Sequence, residues 1–365
     1  MRIAAILAIA GEIEPSARIQ PSAPFSFCSW DLAARYCGEA AGKWAADRSL
    51  SANTVGYAAK SCYLINSRFM NKKENRLNAD NPYQDSLAGL EIADPAKAFF
   101  DWCIEREAIR VRREAGEPLP WTQDPVFQKG RFLNVFREDD KGTKAVLRFA
   151  DPVKESPSDL IHALFFARWC NQHTTLNPLD PSILKTPDEL RHALLYEVQQ
   201  PWASEVYPVV PVQWEGREYE RLDACIEMFP RCLSFLVECI RGAQGNVMSA
   251  TDAINARFKM SNDFPIFMAL VDLALFAPDL IRPDSPVPTG IGAAPYLDLL
   301  QRHLKCANHQ ATAEKMIKLQ ATCWPEARRK FTPIDIEYLS CECRKYFSYV
   351  NGTKKFEGKN LFIPN

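Results

Sequence analysis

The sequence predicts an all-α protein. Three observations carry that expectation. Apolar residues recur at helical spacing in most long apolar segments after Asp94, and strand signals are confined to one stretch, Tyr207 to Trp214, interrupted by Pro208 and Pro211. Composition is the third. The 365 residues are 47% hydrophobic and 24% charged, which describes a globular chain long enough for one large or two medium domains. No apolar run approaches the roughly 20 residues of a spanning helix, so no membrane partner is expected.

The elements follow in order. Residues 1–90 form a poorly defined N-terminal segment. Its first ten residues imitate a signal peptide in Arg2 and in Ala8-Ile9-Ala10, but the apolar stretch is short, and a packed segment is expected in place of an export signal. The polar stretch from Asn71 to Asp85 reads as a linker. Residues 91–365 form the helical domain. A first amphipathic helix runs from Asp94 to Gly116, with Pro118 and Pro120 just beyond, and an apolar helix covers Leu160 to Trp169. Thr186, Pro187 and Glu189 open a third helix through Val198. A fourth covers Arg221 to Ile240, kinked or split at Pro230. Phe264 to Phe276, Tyr296 to Ala307 and Ile334 to Tyr346 complete the set.

Charge and cysteine usage set limits on function. The 44 basic and 45 acidic side chains leave a net charge of −1, so any contact with nucleic acid must come from a local patch. The twelve cysteines are scattered, with Cys225, Cys232 and Cys239 on one helical stripe. That spacing suggests core packing in a reducing, intracellular compartment, where the DNA is (nuclear in a eukaryote, otherwise cytoplasmic), and not secretion. His303, Cys306 and His309 stand at a zinc-like spacing, but structural zinc draws on four ligands, and no metal site is assigned. There is no G-x-x-x-x-G-K-[ST] loop, no G-x-G-x-x-G and no H-E-x-x-H.

Three clusters carry chemistry. The first runs from Glu105-Arg106 through Arg112-Arg113 and Pro118-Leu119-Pro120-Trp121-Thr122-Gln123-Asp124-Pro125 to Arg131-Phe132-Leu133-Asn134-Val135-Phe136-Arg137-Glu138. Guanidinium forks bind phosphate and aromatic rings stack on bases, although the same arginines also suit a solvated helix face paired with Glu105, Glu107 and Glu114. In the second, Gly290-Ile291-Gly292 precedes an apolar helix. A tight turn there can aim backbone N–H groups at a phosphate, as in a helix-hairpin-helix DNA contact, or serve only as an interhelical turn. The third is the helix Asp335 to Tyr346, capped by Thr332 with Pro333 at its first position. Its Asp335, Glu337 and Glu342 are candidate catalytic carboxylates, or else a cap with ion pairs to Arg344 and Lys345.

Together the three clusters resemble the helical domain of 5-hydroxymethyldeoxyuridine DNA kinases and the related thymine-hypermodification proteins. The resemblance rests on Glu105-Arg106, Arg113 to Pro125, Phe132 to Glu138, Arg168 with Asn171, Gly290 to Ala293 and Asp335 to Tyr346. The chain departs from the pattern at Leu133, Tyr338 and Cys343-Arg344. What the resemblance implies is a helix-hairpin-helix, DNA-glycosylase-like fold and a transferase that acts on 5-hydroxymethyluracil, or its phosphorylated form, in DNA. On that view the protein flips the base, stacks it near Trp121 or Phe136, and transfers a group at the 5-methylene. Asp335, Glu337 and Glu342 would be catalytic. Arg106, Arg113, Trp121, Asp124, Arg131, Asn134, Arg137, Arg168, Asn171, Gly290, Gly292 and Lys345 would hold phosphate or DNA. Arg113, Trp121, Asp124, Asn134, Arg137, Arg168 and Asp335 are expected to share one cleft. No cofactor is evident; a nucleotide or Mg2+ enters only if the chemistry is kinase-like. The alternative is a non-catalytic DNA-binding module that works with a separate kinase partner.

Overall fold

A computed structural model describes residues 81–203, 209–358 and 361–362. The N-terminal expectations therefore lie outside the described residues, apart from 81–90. Those ten residues are fastened to the helical unit: Leu87 is buried in its core, Asn81 donates to the Ile291 carbonyl at 2.9 Å, and Asn351 donates to that of Ala88 at 3.0 Å.

The first helix, α1 (Pro95–Glu114), begins where Asp94 accepts from the Lys97 N–H at 2.9 Å with Pro95 at the first turn. Ala96, Phe99, Phe100, Trp102, Cys103 and Arg106 form its buried stripe. It ends on Gly116, whose φ of +73° lets the Glu117 N–H reach back to the Arg112 carbonyl at 3.1 Å. After α2 (Pro125–Lys129) come α3 (Lys141–Ala150), α4 (Pro157–Cys170), α5 (His173–Leu176) and α6 (Pro187–His192), the last continuing into a π-helical turn, Ala193–Glu197. The predicted Thr186 cap does not form, because its hydroxyl donates to the Ile183 carbonyl instead.

Two short antiparallel strands, β1 (Val212–Trp214) and β2 (Arg217–Tyr219), pair across Glu215-Gly216, both at positive φ. The end of the stretch read as at most an edge strand, Val212–Trp214, is thus half of a hairpin, while Tyr207 and Pro208 lie outside the described residues. The helical run from Arg221 then passes through a π-helical turn, Ala224–Met228, into α7 (Phe229–Gly242). The wide turn absorbs Pro230, which sits in the first turn of α7. The helices α8 (Val247–Phe258), α9 (Phe264–Phe276), α10 (Ala294–Leu304), α11 (His309–Cys323) and α12 (Pro333–Val350) follow. The molecule is mainly helical, as the apolar periodicity predicts.

The helices bury two cores. One is built on α4 and α9, both apolar around nearly their whole circumference, with α3, α7, α8 and the hairpin packed against them. The other joins α1 and α2 to α10, α11 and α12. The described residues therefore begin in the second core, cross to the first along Phe132 to Asp140, and cross back between α9 and α10. Cys225 and Cys232 are fully buried free thiols and Cys239 is half-buried, so the cysteine stripe is packing.

Candidate functional site

The Phe132–Asp140 crossing divides two clefts. Asn134, Asp139 and Asp140 line a large one of about 1240 Å³, while Arg137 and Glu138 line a small one of about 180 Å³. The seven residues expected to share one cleft are therefore split. Arg113, Trp121 and Asn134 line the large cleft, Arg137 and Asp335 the small one, and Asp124 and Arg168 neither. A single cleft fails because the crossing presents Asn134, Asp139 and Asp140 to one side and Arg137 and Glu138 to the other, while Asp124 caps α2 and Arg168 pairs with Asp272.

The large cleft is strongly basic. Arg106, Arg113, Arg131, Lys141, Lys144 and Arg148 face it, against Glu114, Asp139 and Asp140. Arg106 lies inside the wall: its guanidinium donates to the Leu133 carbonyl at 2.9 Å and to Asn134 Oδ1 at 2.6 Å, while its Nη1 has no hydrogen-bond partner among the described residues. Burial, with Arg113 as a like-charged neighbour, lowers its titration to about 10. Arg113 and Arg131 are exposed. Asp140 accepts from the Asn134 N–H at 2.9 Å, and burial pushes it up to about 6. Trp121 is half-buried at the rim, where Phe362 meets its ring edge to face at 5.8 Å. The lysines and Arg148 belong to α3 and its approach, a weakly apolar segment that the motif reading passed over.

The third cluster turns out to brace the crossing. Asp335 is 1% exposed and accepts from the Thr332 N–H and hydroxyl, both at 2.8 Å, closing the predicted cap. Its ion-pair partner is Arg329, at 2.7 and 3.0 Å, and not Arg344 or Lys345; Arg329 also grips Glu138 at 2.8 and 2.9 Å. Glu342 accepts from the Leu133 N–H at 3.0 Å and pairs with Lys345 at 2.8 Å. Tyr338 donates to the Asn134 and Val135 carbonyls, and Tyr346 donates to Asp124 at 2.5 Å. Asp124 is otherwise the N-cap of α2, accepting from Val126 N–H at 2.7 Å and Phe127 N–H at 3.0 Å. The structure thus occupies Asp335 with Arg329 and Thr332, Asp124 with Tyr346 and the α2 backbone, and Glu342 and Lys345 with each other.

Arg168 and Asn171 are also internal. Arg168 forms a buried two-point pair with Asp272 of α9, at 2.5 and 2.9 Å, and donates to Asn171 Oδ1 at 2.8 Å. Asn171 ends α4 in a left-handed conformation, φ +44°. Phe136 is fully buried, with the Arg328 and Arg329 guanidinium carbons 4.3 and 4.7 Å from its ring centre, so it offers no face to a base.

Glu337 differs from its neighbours. It is half-buried on α12 and accepts only the Gly290 N–H, at 2.9 Å. Burial raises it to about 7, against the opposing pull of that hydrogen bond and of Arg137. The Gly290 N–H is therefore committed to Glu337 and is not free for phosphate. A Cβ on Gly292 would stand 2.7 Å from Cys341 Sγ, and the Gly292 carbonyl accepts from Arg344 at 2.9 Å. The turn needs its glycines to lie against α12; Gly290 and Ile291 are exposed and Gly292 is half-buried.

The zinc-like trio is spent on local contacts: His303 lies 3.3 Å from Asp94, and His309 bridges Asp298 at 2.9 Å and Thr289 at 3.0 Å. Among the described residues no helix is long and apolar enough to cross a membrane. No curated protein and no solved structure matches the chain. Every residue lining the large cleft except Gly358, Leu361 and Phe362 falls within residues 94–201, and that segment matches the family described as 5-hmdU DNA kinase, helical domain.

Proposed function

We propose that this protein processes DNA carrying 5-hydroxymethyluracil or its phosphorylated form. The strand lies in the large basic cleft, the base is flipped, and a group is transferred at the 5-methylene. One observation carries the reading: the segment that matches the 5-hmdU DNA kinase helical domain is the segment that builds the basic cleft. Arg113 and Arg131 neutralise phosphates at the surface, and the unpartnered Nη1 of buried Arg106 supports an anion deeper in. Trp121 offers an aromatic surface at the rim for an unstacked base. No α12 carboxylate lines that cleft: Asp335 and Glu342 are held in ion pairs and Glu337 accepts the Gly290 N–H, so none of the three is assigned the proton transfer. A helix-hairpin-helix, glycosylase-like arrangement and an intracellular setting belong to the same proposal. The cations of the cleft also suit the phosphates of a nucleotide. Its carboxylates fit Mg2+ poorly, since Asp139 lies 2.7 Å from Arg328 and Asp140 holds a backbone N–H.

The alternative, a DNA-binding module that relies on a kinase partner, is favoured by the engagement of Asp335 and Glu342 and by the missing phosphate loop. Nucleoside mass spectrometry separates the two. Hydroxymethyluracil DNA is incubated with the protein, candidate phosphate donors and amines. A new nucleoside supports the enzyme. Binding without any new nucleoside supports the module, and no binding refutes both.

A further inference from the structure

The small cleft combines an apolar floor with a surplus of cations. Val271, Ala274, Ile281 and Val287 contribute to the floor, and Arg137, Arg282, Arg329 and Lys330 reach it from the sides. Its two carboxylates, Glu138 and Asp335, are both consumed by Arg329. Arg137 is not so consumed. Its nearest anion, Asp272, lies 4.0 Å away, and both oxygens of that carboxylate already accept from Arg168. The Arg137 Nε is buried with no hydrogen-bond partner among the described residues, and the side chain is only 15% exposed. A buried, unsatisfied guanidinium is costly, and a ligand that completes it recovers that cost. Arg282 is set at the rim by Gly245, whose carbonyl accepts the Arg282 N–H at 2.9 Å and whose φ of +82° and lack of a Cβ admit the arginine stem. Its own partner, Asp284, is exposed and 3.6 Å away.

We propose that this cleft, on the opposite side of the crossing from the DNA-binding groove, is a binding site for a small aliphatic carboxylate. The planar donor fork of Arg137 matches a carboxylate, Lys330 and Arg282 add attraction at the mouth, and the valine and isoleucine walls take the hydrocarbon. The inference does not rest on the DNA reading, and its test contains no DNA, so either can fail without the other.

The test is calorimetric titration of the full chain with isovalerate, with isovaleramide as the uncharged isostere and with inorganic phosphate. Saturable one-to-one binding of isovalerate, at least tenfold tighter than isovaleramide, supports the proposal. So does a tenfold or greater loss with Arg137→Gln and with Ala274→Leu, and a two- to threefold loss with Lys330→Ala. The Ala274→Leu variant also guards against misreading an unfolded protein, since a leucine that enters an open cavity leaves the melting temperature within a few degrees of wild type. Equal binding of acid and amide, or unchanged binding in Ala274→Leu, overturns the site. Binding of phosphate in the absence of isovalerate binding overturns the carboxylate assignment.

Discussion

Replacing Glu337 with glutamine tests the one carboxylate on α12 that is not locked into an ion pair. Its carboxyl is raised from 4.5 to about 7, chiefly by burial. Below about pH 4.5 it is protonated in both the folded and unfolded chains and contributes nothing to the pH dependence. Between 4.5 and 7 the unfolded chain has released the proton while the folded one retains it, so stability falls as pH rises. At about 1.4 kcal/mol per pH unit, the ionised carboxylate costs the fold about 3 kcal/mol once the pH exceeds 7. Glutamine keeps an oxygen for the Gly290 N–H and cannot ionise. Glu337→Gln is therefore expected to match wild type near pH 4.5 and to exceed it by about 3 kcal/mol at pH 8. Asp140, raised to about 6, lowers stability over a neighbouring window in both proteins and cancels in the difference. Urea denaturation of both proteins at several pH values gives the two curves. Parallel curves from pH 4.5 to 8.5 would refute the placement of an ionisable, desolvated carboxyl at this turn.

Asp272→Asn leaves two arginines facing a neutral amide in the interior and is expected to cost about 3–5 kcal/mol, with much of that regained when Arg168 is replaced by methionine as well; denaturant midpoints measure both. Gly292→Ala should destabilise by about 1–3 kcal/mol, because its methyl meets Cys341 Sγ at 2.7 Å, and Cys341→Ala should restore most of the loss. If the double variant melts no higher than Gly292→Ala alone, the contact is not the cause. Arg113→Ala and Arg131→Ala should each flatten the slope of log K against log salt for DNA by about 0.9 while leaving base preference intact, as fluorescence anisotropy at several salt concentrations will show.

The long apolar helices were legible because burial imposes a period on the sequence. The predictions for Asp94 to Gly116 and Phe264 to Phe276 match α1 and α9 closely. Five helices are not predicted: α2 and α5 are too short to show a period, and the other three have identifiable reasons. Lys141–Ala150 carries a glycine in its first turn, while Val247–Phe258 and His309–Cys323 each bury only a narrow stripe among polar residues. Residue types that suit phosphate binding were legible, but their directions were not. Arg168 reads as a phosphate ligand until Asp272, 104 positions away, is found to hold it. The partner of Asp335 was misassigned for the same reason: Arg329 precedes the helix and lies next to the carboxylate only because the chain turns at Thr332.

The motifs at the two ends of the helical region have a common physical origin, and it assigns α12 a different part from the one its carboxylates suggest in sequence. Four side chains of α12 reach the segment from Asp124 to Glu138: Asp335 through Arg329 to Glu138, Tyr338 to the Asn134 and Val135 carbonyls, Glu342 to the Leu133 N–H, and Tyr346 to Asp124. That segment has little regular structure of its own, only the short α2 and a single 3-10 turn at Arg137–Asp139. Its backbone polar groups must therefore be satisfied from outside, and α12 meets three of them, with Arg106 of α1 meeting two more. The same clamp fixes which residues face which cleft, Asn134 and Asp140 toward one and Arg137 and Glu138 toward the other. Loss of one clamp member should then disturb both clefts together. Glu342→Gln, which still accepts from Leu133 but gives up the Lys345 ion pair, should disturb them less than Glu342→Ala, which gives up both.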